Sequence, residues 1–423
     1  MSLDNAFQAP EWTLSLNEAL ASVLGRISPV CDAQPLPLTG CVGRILAEDV
    51  VSGVDQPPFA NSAMDGFACR YADLEADRPV RLPVAGRVAA GHPISSPVPL
   101  GAAVEIFTGA PMPKDLDTVV MVEETRREDA NGQSFVTLPK AGRQGQHVRP
   151  AGEDFKKGSV ILRAGTKLRA QHVAMAAAAG LTELSMRKRL RVGVFSTGDE
   201  VVEPGQALGQ GQIYGSNRYG QLAQIAAWGY EPVDLGHLPD DLDLTIKAFA
   251  DAGRSVDVVL SSGGVSVGGE DHVRAAIEKL GELHLWRLKL KPGKPVALGR
   301  VGDAAFIGLP GNPVSALVTL LLVGRPVLLR LAGAMPVETL PQALLVRSGF
   351  SFRKKDDRRQ FLRAHLGIDA ADGQPIVTLF ASQESGVLSS MAATQGLVDV
   401  AENRLAIEPG EMVPFLSYDS LQA

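Results

Sequence analysis

Residues 256–260 form a short apolar run that ends in small residues: Ser261-Ser262-Gly263-Gly264-Val265-Ser266-Val267-Gly268-Gly269-Glu270-Asp271. This pattern predicts a buried strand, a tight turn, and a helix starting near Asp271. Four glycines in seven positions let the backbone turn sharply and come close to a ligand. Serines and free N–H groups between a strand end and a helix start favour an anion. An acid closing such a loop can hold a metal beside that anion. A lone glycine cluster is more often a plain surface turn, so its neighbours decide the reading.

Those neighbours repeat the same architecture. Residues 190–195 read as an apolar strand, 218–229 and 242–252 as helices, 271–280 as a helix, 304–309 as a strand and 313–331 as a long buried helix. Strands alternating with helices predict a doubly wound, mostly parallel α/β sheet, whose ligands sit beyond the carboxyl ends of the strands. Ahead of this unit, Ser15 and Glu18 make a capping box that opens an amphipathic helix. Residues 50–70 look irregular. From 78 to 148 short valine-rich runs cut by Gly and Pro read as a small β module, followed by an alanine-rich helix at 170–179. After Gly333 short strands return. The domains expected are 1–52 with 149–186 as a linking domain, 53–148 as the β module, 187–333 as the α/β domain, and 334–423 as a C-terminal β-barrel-like domain.

Length and charge narrow the function. The chain has 423 residues, room for two to four domains, and a net charge of −6. An acidic chain argues against nucleic acid as main partner, because phosphate backbones need a basic face. Cys31, Cys41 and Cys69 lack metal spacing and read as reduced thiols, and the N-terminus lacks the pattern of a signal peptide. The apolar run at 314–331 is interrupted by Arg325 and Pro326, which suits a core helix better than a membrane span. A cytoplasmic protein with no membrane and no nucleic-acid partner is expected.

Several motifs carry chemistry. Ser196-Thr197-Gly198-Asp199-Glu200 closes the first strand of the α/β unit, in the position that the Ser262-Gly263-Gly264 loop, with Ser266 and Gly268, takes in the second half. Asp199 and Glu200 alone read as a solvated turn, but together with Asp271 they suit magnesium ligation or substrate hydrogen bonding. Asp240 and Asp241 either join them or cap a helix, and both readings stay open. Lys289, Lys291 and Lys294, held between prolines and a glycine, suit a phosphate or other oxyanion, where the ordinary alternative is a solvated turn. Pro310-Gly311-Asn312-Pro313-Val314-Ser315 starts a helix, with Pro313 at its first position and Ser315 near its free N–H groups. The segments around Asp65 and Thr108 give no function from composition. Arg358, Arg359 and Arg363, followed by Ser382, Ser385, Ser389 and Ser390, read on their own as a charged β-edge.

Taken together and in order, PPFANSAMDGFA, IFTGAPMP, STGDE, SSGGVSVGGED, KLKPGKP and GLPGNPVSA resemble the molybdopterin molybdenumtransferase family over nearly the whole chain. The α/β unit alone also resembles the molybdopterin adenylyltransferases, which lack the N-terminal β module. The resemblance implies an enzyme that inserts molybdate into the dithiolene of adenylylated molybdopterin and releases AMP with Mg²⁺, the last step of molybdenum-cofactor synthesis. It implies a homodimer whose cleft lies between one subunit's α/β domain and the other's β module, and an adenylyltransferase as possible partner. By position it assigns catalytic roles to Asp65, Thr108, Glu200, Asp240 and Asp271, with Glu200, Asp240 and Asp271 on the metal. Substrate binding falls to Ser196, Thr197, Gly198, Ser262, Gly263, Gly264, Ser266, Gly268, Pro310, Gly311, Asn312 and Pro313. The oxoanion falls to Lys291, Lys294, Ser315, Arg363 and Ser385. Glu384 puts an acid beside Ser385, and Arg287 stands where some relatives carry lysine. A binding or scaffold paralogue is the non-catalytic alternative.

Overall fold

The computed structural model describes residues 13–263, 272–293 and 295–422. Its centre is a seven-stranded sheet in the order Thr13–Leu14, Gly281–Leu288, Pro295–Val301, Ala304–Leu309, Val258–Ser262, Arg191–Thr197, Glu231–Leu238. The last four strands run parallel, while Pro295–Val301 is antiparallel to both its neighbours. The mostly parallel expectation holds, with an antiparallel meander on one side. Ala304–Leu309 and Val258–Ser262 are buried along their whole length, as strands covered on both faces must be.

Helices cover both faces. On one, Leu242–Ser255 and His272–Leu280 pack Phe249, Val273 and Ile277 against Phe195, Val259 and Phe306. Phe249 stacks on Phe195 with centroids 5.0 Å apart and meets Phe306 at 5.9 Å, and such pairs add about 0.5–1.5 kcal/mol each beyond area burial. On the other face lie Ser216–Ala227 and the 313–331 helix. The latter is interrupted: Pro313–Thr319 and Arg325–Leu331 are α-helical, and Leu320–Gly324 widens to a π-helical turn. Pro326 lacks an N–H and its ring crowds the carbonyl one turn back, which gives the widening a cause. This stretch has the length and apolarity of a membrane span, but nearly all of it is buried inside the protein.

The opening helix Leu16–Leu24 has its Ser15–Glu18 capping box. It belongs to the first 52 residues, yet Leu16, Leu20 and Val23 are buried in the α/β core with Leu190, Val192 and Leu331. The pieces either side of the β module meet: Ala33–Pro37 pairs with Glu183–Arg187, and Val50–Val51 with Val160–Leu162. The β module is a six-stranded sheet. One of its inner strands, Gly66–Cys69, corrects the expectation of irregular chain at 50–70. It is buried throughout and lies between Ala103–Ile106 and Thr118–Met121. Gly66 is required there, because a Cβ would lie 2.0 Å from the Val120 carbonyl oxygen. In the C-terminal domain Arg359–Ile368, Pro375–Leu379, Leu344–Ser348, Met412–Ser417 and Gly396–Val400 pair in a ring, closed by the first strand on the last. Leu290–Lys291 adds to this barrel alongside Arg359–Gln360, so the lysine-rich loop is shared by two domains.

Candidate active site

Parallel strands end together, so their following loops form one rim. Ser196 and Thr197 end one strand and Ser261 and Ser262 its neighbour. Gly198 (φ +116°) and Gly263 (φ +94°) turn the chain where a Cβ would be strained. They leave a hollow of about 160 Å³ lined by Thr197, Glu200, Asp240, Thr245, Gly263 and His272. Gly198 also makes room for Glu200: a Cβ would sit 2.3 Å from that carboxylate. A second hollow of about 120 Å³ continues from Glu200 past Ser196, Ser262 and Tyr214 to Gly311 and Pro313. The two form one cleft along the strand ends.

Two acids brace this rim. The backbone N–H of Asp199 donates to Asp240 Oδ2 at 3.2 Å, and that of Asp240 donates to Asp199 Oδ1 at 3.0 Å. The exchange ties neighbouring strand ends. It also separates the two roles left open at 240 and 241: Asp241 caps Leu242–Ser255, accepting from the Leu244 N–H at 2.9 Å. Asp240 is left on the rim. Among the described residues no three metal-ligating side chains converge. Gly264, Ser266, Gly268, Asp271 and Lys294 lie outside the described residues.

The oxoanion candidates meet where the α/β domain joins the barrel. The Val314 N–H donates to the Ser385 carbonyl at 3.0 Å, which seats the 380–390 loop on the start of the Pro313 helix. Gly293 packs so closely against that helix that a Cβ would lie 2.4 Å from Thr319 Oγ1. Lys291 is exposed, Ser315 buried and Ser385 half-buried. Arg363 is 1% exposed, and its guanidinium donates to Ser390 Oγ and to the Glu384 carbonyl, each at 3.2 Å. Burial lowers its pKa. It straps the loop that carries Ser385 and does not stand open as a surface cation.

Asp65 and Thr108, forty-three positions apart, form one unit. The Thr108 backbone N–H and Oγ1 both donate to Asp65 Oδ1, at 2.7 and 2.8 Å, and the side chains are exposed. The backbone bond, then the hydroxyl bond, hold the carboxyl below its ordinary value. Asp65 is therefore an ionised acceptor at neutral pH and a poor proton acceptor. Neither residue lines the strand-end hollows.

Sequence reasoning missed the far wall of the cleft. Val201–Val202 pairs with Ile213–Tyr214 and carries an exposed Tyr214 to the mouth. Asn217 Nδ2 donates to the Gly311 carbonyl at 2.7 Å and ties Ser216–Ala227 to the GLPGNP turn. His237 Nδ1 lies 3.3 Å from Ser196 Oγ. The one available signal was Gly215-Ser216-Asn217 at a helix start.

Comparison with known proteins agrees with this architecture. Residues 14–180 match the MoeA N-terminal region (domain I and II), 193–330 a probable molybdopterin binding domain, and 346–418 the MoeA C-terminal region (domain IV). A molybdopterin molybdenumtransferase of Haemophilus influenzae is 36% identical over 96% of this chain and 99% of its own length. One of Bacillus subtilis is 31% identical over 88% of this chain and 87% of its own. A solved molybdopterin biosynthesis moeA protein from Pyrococcus horikoshii superposes with a TM-score of 0.78 at 28% identity, covering 96% of this chain and all of that one. With all three family regions present in order, the chain belongs to the molybdopterin molybdenumtransferase family and is an enzyme of molybdenum-cofactor biosynthesis.

Proposed function

We propose that the strand-end cleft binds adenylylated molybdopterin, that molybdate enters at the junction of the α/β domain with the barrel, and that AMP leaves as molybdenum is taken by the dithiolene. The balance is simple. Forming two Mo–S bonds from molybdate and a dithiol releases water, and cleaving the phosphoanhydride consumes water. The observation that carries the proposal is the convergence of Glu200 and Asp240 on one hollow lined by strand-end threonine and glycine, continued past Glu200 by a second hollow that adds Ser196 and Ser262.

Two carboxylates facing a pyrophosphate repel it unless a cation lies between them. Mg²⁺ commonly takes one or two protein carboxylates and fills its remaining positions with substrate phosphate oxygens and water. Glu200 and Asp240 fit that donor set, with Asp271 as the third acid expected from sequence. Bound there, the ion would neutralise charge on the phosphoanhydride as it breaks. The chain supplies the rest. Ser196, Thr197 and Ser262 offer hydroxyls, and Gly198, Gly263 and Gly311 let the backbone approach. Lys291, Ser315 and Ser385 are the proposed molybdate donors, with Arg363 holding the Ser385 loop in place. A substrate held still against a desolvated oxoanion needs little more than positioning.

Asp65 and Thr108 complete the cleft, in this proposal, from the second subunit of a homodimer. The support is that the pair is preorganised and ionised yet absent from the hollows of its own chain. An adenylyltransferase would supply the substrate. Three free, buried cysteines fit a reducing cytoplasm. The test is AMP release from adenylylated molybdopterin and Mg²⁺, with and without molybdate. Release that requires molybdate supports the proposal. Release from ATP and molybdopterin of pyrophosphate instead, or tight binding with no release, would replace it with the adenylyltransferase or the scaffold reading.

A further inference from the structure

A second cavity lies at the opposite end of the sheet. Leu190 and Tyr230, which immediately precede Arg191–Thr197 and Glu231–Leu238, help line it. A seven-residue strand puts it roughly 20 Å from the cleft. Arg44, Lys167, Arg187, Lys188 and Arg189 surround it, and among the described residues no acid is in its lining. The chain has six more acidic than basic side chains, so five cations here are a local concentration.

Their charges are poorly balanced. Lys188 pairs with the exposed Asp32 at 3.0 Å. Arg44 donates to the Arg187 carbonyl at 2.7 Å, and Arg187 Nη1 to the Cys31 carbonyl at 3.0 Å, so both meet neutral acceptors. Arg187 Nε is buried with no partner. Among the described residues no carboxylate stands within ion-pair distance of Arg44, Lys167 or Arg187. Burial, then Arg325, then Arg169 lower the pKa of Lys167, and burial, then Arg189, lower that of Arg44. Glu338 acts on Arg325 but does not line the cavity. Arg44, Lys167 and Arg187 are half-buried, and gathering such cations without acids is costly unless an anion joins them.

We propose that this cavity is a binding site for one small tetrahedral oxoanion of the sulfate or phosphate type. The cavity is small, with an envelope of about 3 Å radius. That admits one oxoanion. The site joins chain segments. Arg44 and Lys167 come from the pieces flanking the β module, and Trp228 and Tyr230 from the α/β domain, so the anion pins one to the other.

The test is isothermal titration of the full chain with sodium sulfate at constant ionic strength, repeated with phosphate and molybdate. One sulfate should bind the unaltered protein at this cavity, in addition to any that occupies the proposed molybdate site. Lys167→Met should weaken it by about tenfold or more, and Lys167→Arg should restore it. Lys291→Met, altered in the catalytic cleft, should keep it. Equal binding in Lys167→Met, loss in Lys291→Met, or no binding of any of the three anions overturns the proposal. Thermal melting gives a second readout. In chloride Lys167→Met should melt at or above the unaltered protein, and sulfate should reverse that order. An order that sulfate does not change overturns the proposal as well.

Discussion

Replacing Arg363 with Met tests whether this residue is a strap. The side chain is almost fully buried and donates twice, to Ser390 Oγ and to the Glu384 carbonyl. Both contacts are 3.2 Å, long for a charged donor, so each belongs at the low end of its class, about 1.5 kcal/mol. Removing both costs roughly 3 kcal/mol, and relief of the buried guanidinium's desolvation returns part of it, leaving about 1–3 kcal/mol. Methionine fills most of the volume, so no large cavity adds to this. The loss should be local to the barrel. Urea unfolding should show a lower midpoint, and hydrogen exchange should quicken at 380–390 and at the Val314 amide, which depends on the Ser385 carbonyl. Molybdate KM should rise more than kcat falls, because the loop bearing Ser385 loses its anchor. A variant with the wild-type midpoint and unchanged exchange would refute the strap. A variant with both changed but an unaltered molybdate KM would refute the placement of Ser385 at the oxoanion.

Gly66→Ala should unfold the β module, since the added methyl collides with the Val120 carbonyl; trypsin sensitivity of residues 60–140 checks it, and a soluble, protease-resistant variant would contradict the packing. Cys31 and Cys69 are pushed up to about 12 from 9.0 by burial, so neither should react with a disulfide reagent at pH 8 until the protein unfolds. Because the folded value is the higher, their contribution to stability is complete below about pH 9 and falls away as pH climbs towards 12, which denaturation midpoints across that window would show. Glu200→Gln should weaken Mg²⁺ dependence of AMP release by about tenfold or more while leaving the melting temperature alone, since the side chain is exposed; unchanged Mg²⁺ dependence would remove Glu200 from the metal.

The sequence was most informative where a signal is local. Ser15 and Glu18 mark their helix because a capping box spans only four residues. The buried run after Pro313 was plain, but its π turn was not, because that depends on how Pro326 is accommodated within a packed helix. Glu231–Leu238 gave no apolar run: it is an edge strand, paired on one side only, with Glu231 and Asp234 exposed. Gly66–Cys69 hid among turn residues, and only the sheet around it makes a strand of four small or aromatic positions. The site divides in the same way. Glu200 and Asp240 stand at strand ends, where α/β topology puts ligands. The Asp65–Thr108 bond spans three strands and the connections between them, and no spacing rule reaches that far. Arg363 has the composition of an oxoanion ligand, and only its burial and its bonds to Ser390 and Glu384 show that it also straps a loop of its own chain.

The most direct measurement mixes two impaired variants at a Mg²⁺ concentration that does not rescue either. Asp65→Asn spoils the β-module acid and Glu200→Gln the α/β-domain acid, and neither alone should release AMP at the wild-type rate. If the cleft is built from two subunits, a reassembled equimolar mixture regains about a quarter of the wild-type sites, because half the dimers are mixed and each carries one intact cleft. Molybdate-dependent AMP release at that level is the result this account predicts. A mixture no more active than its two components, with subunit exchange confirmed by mass, would contradict it.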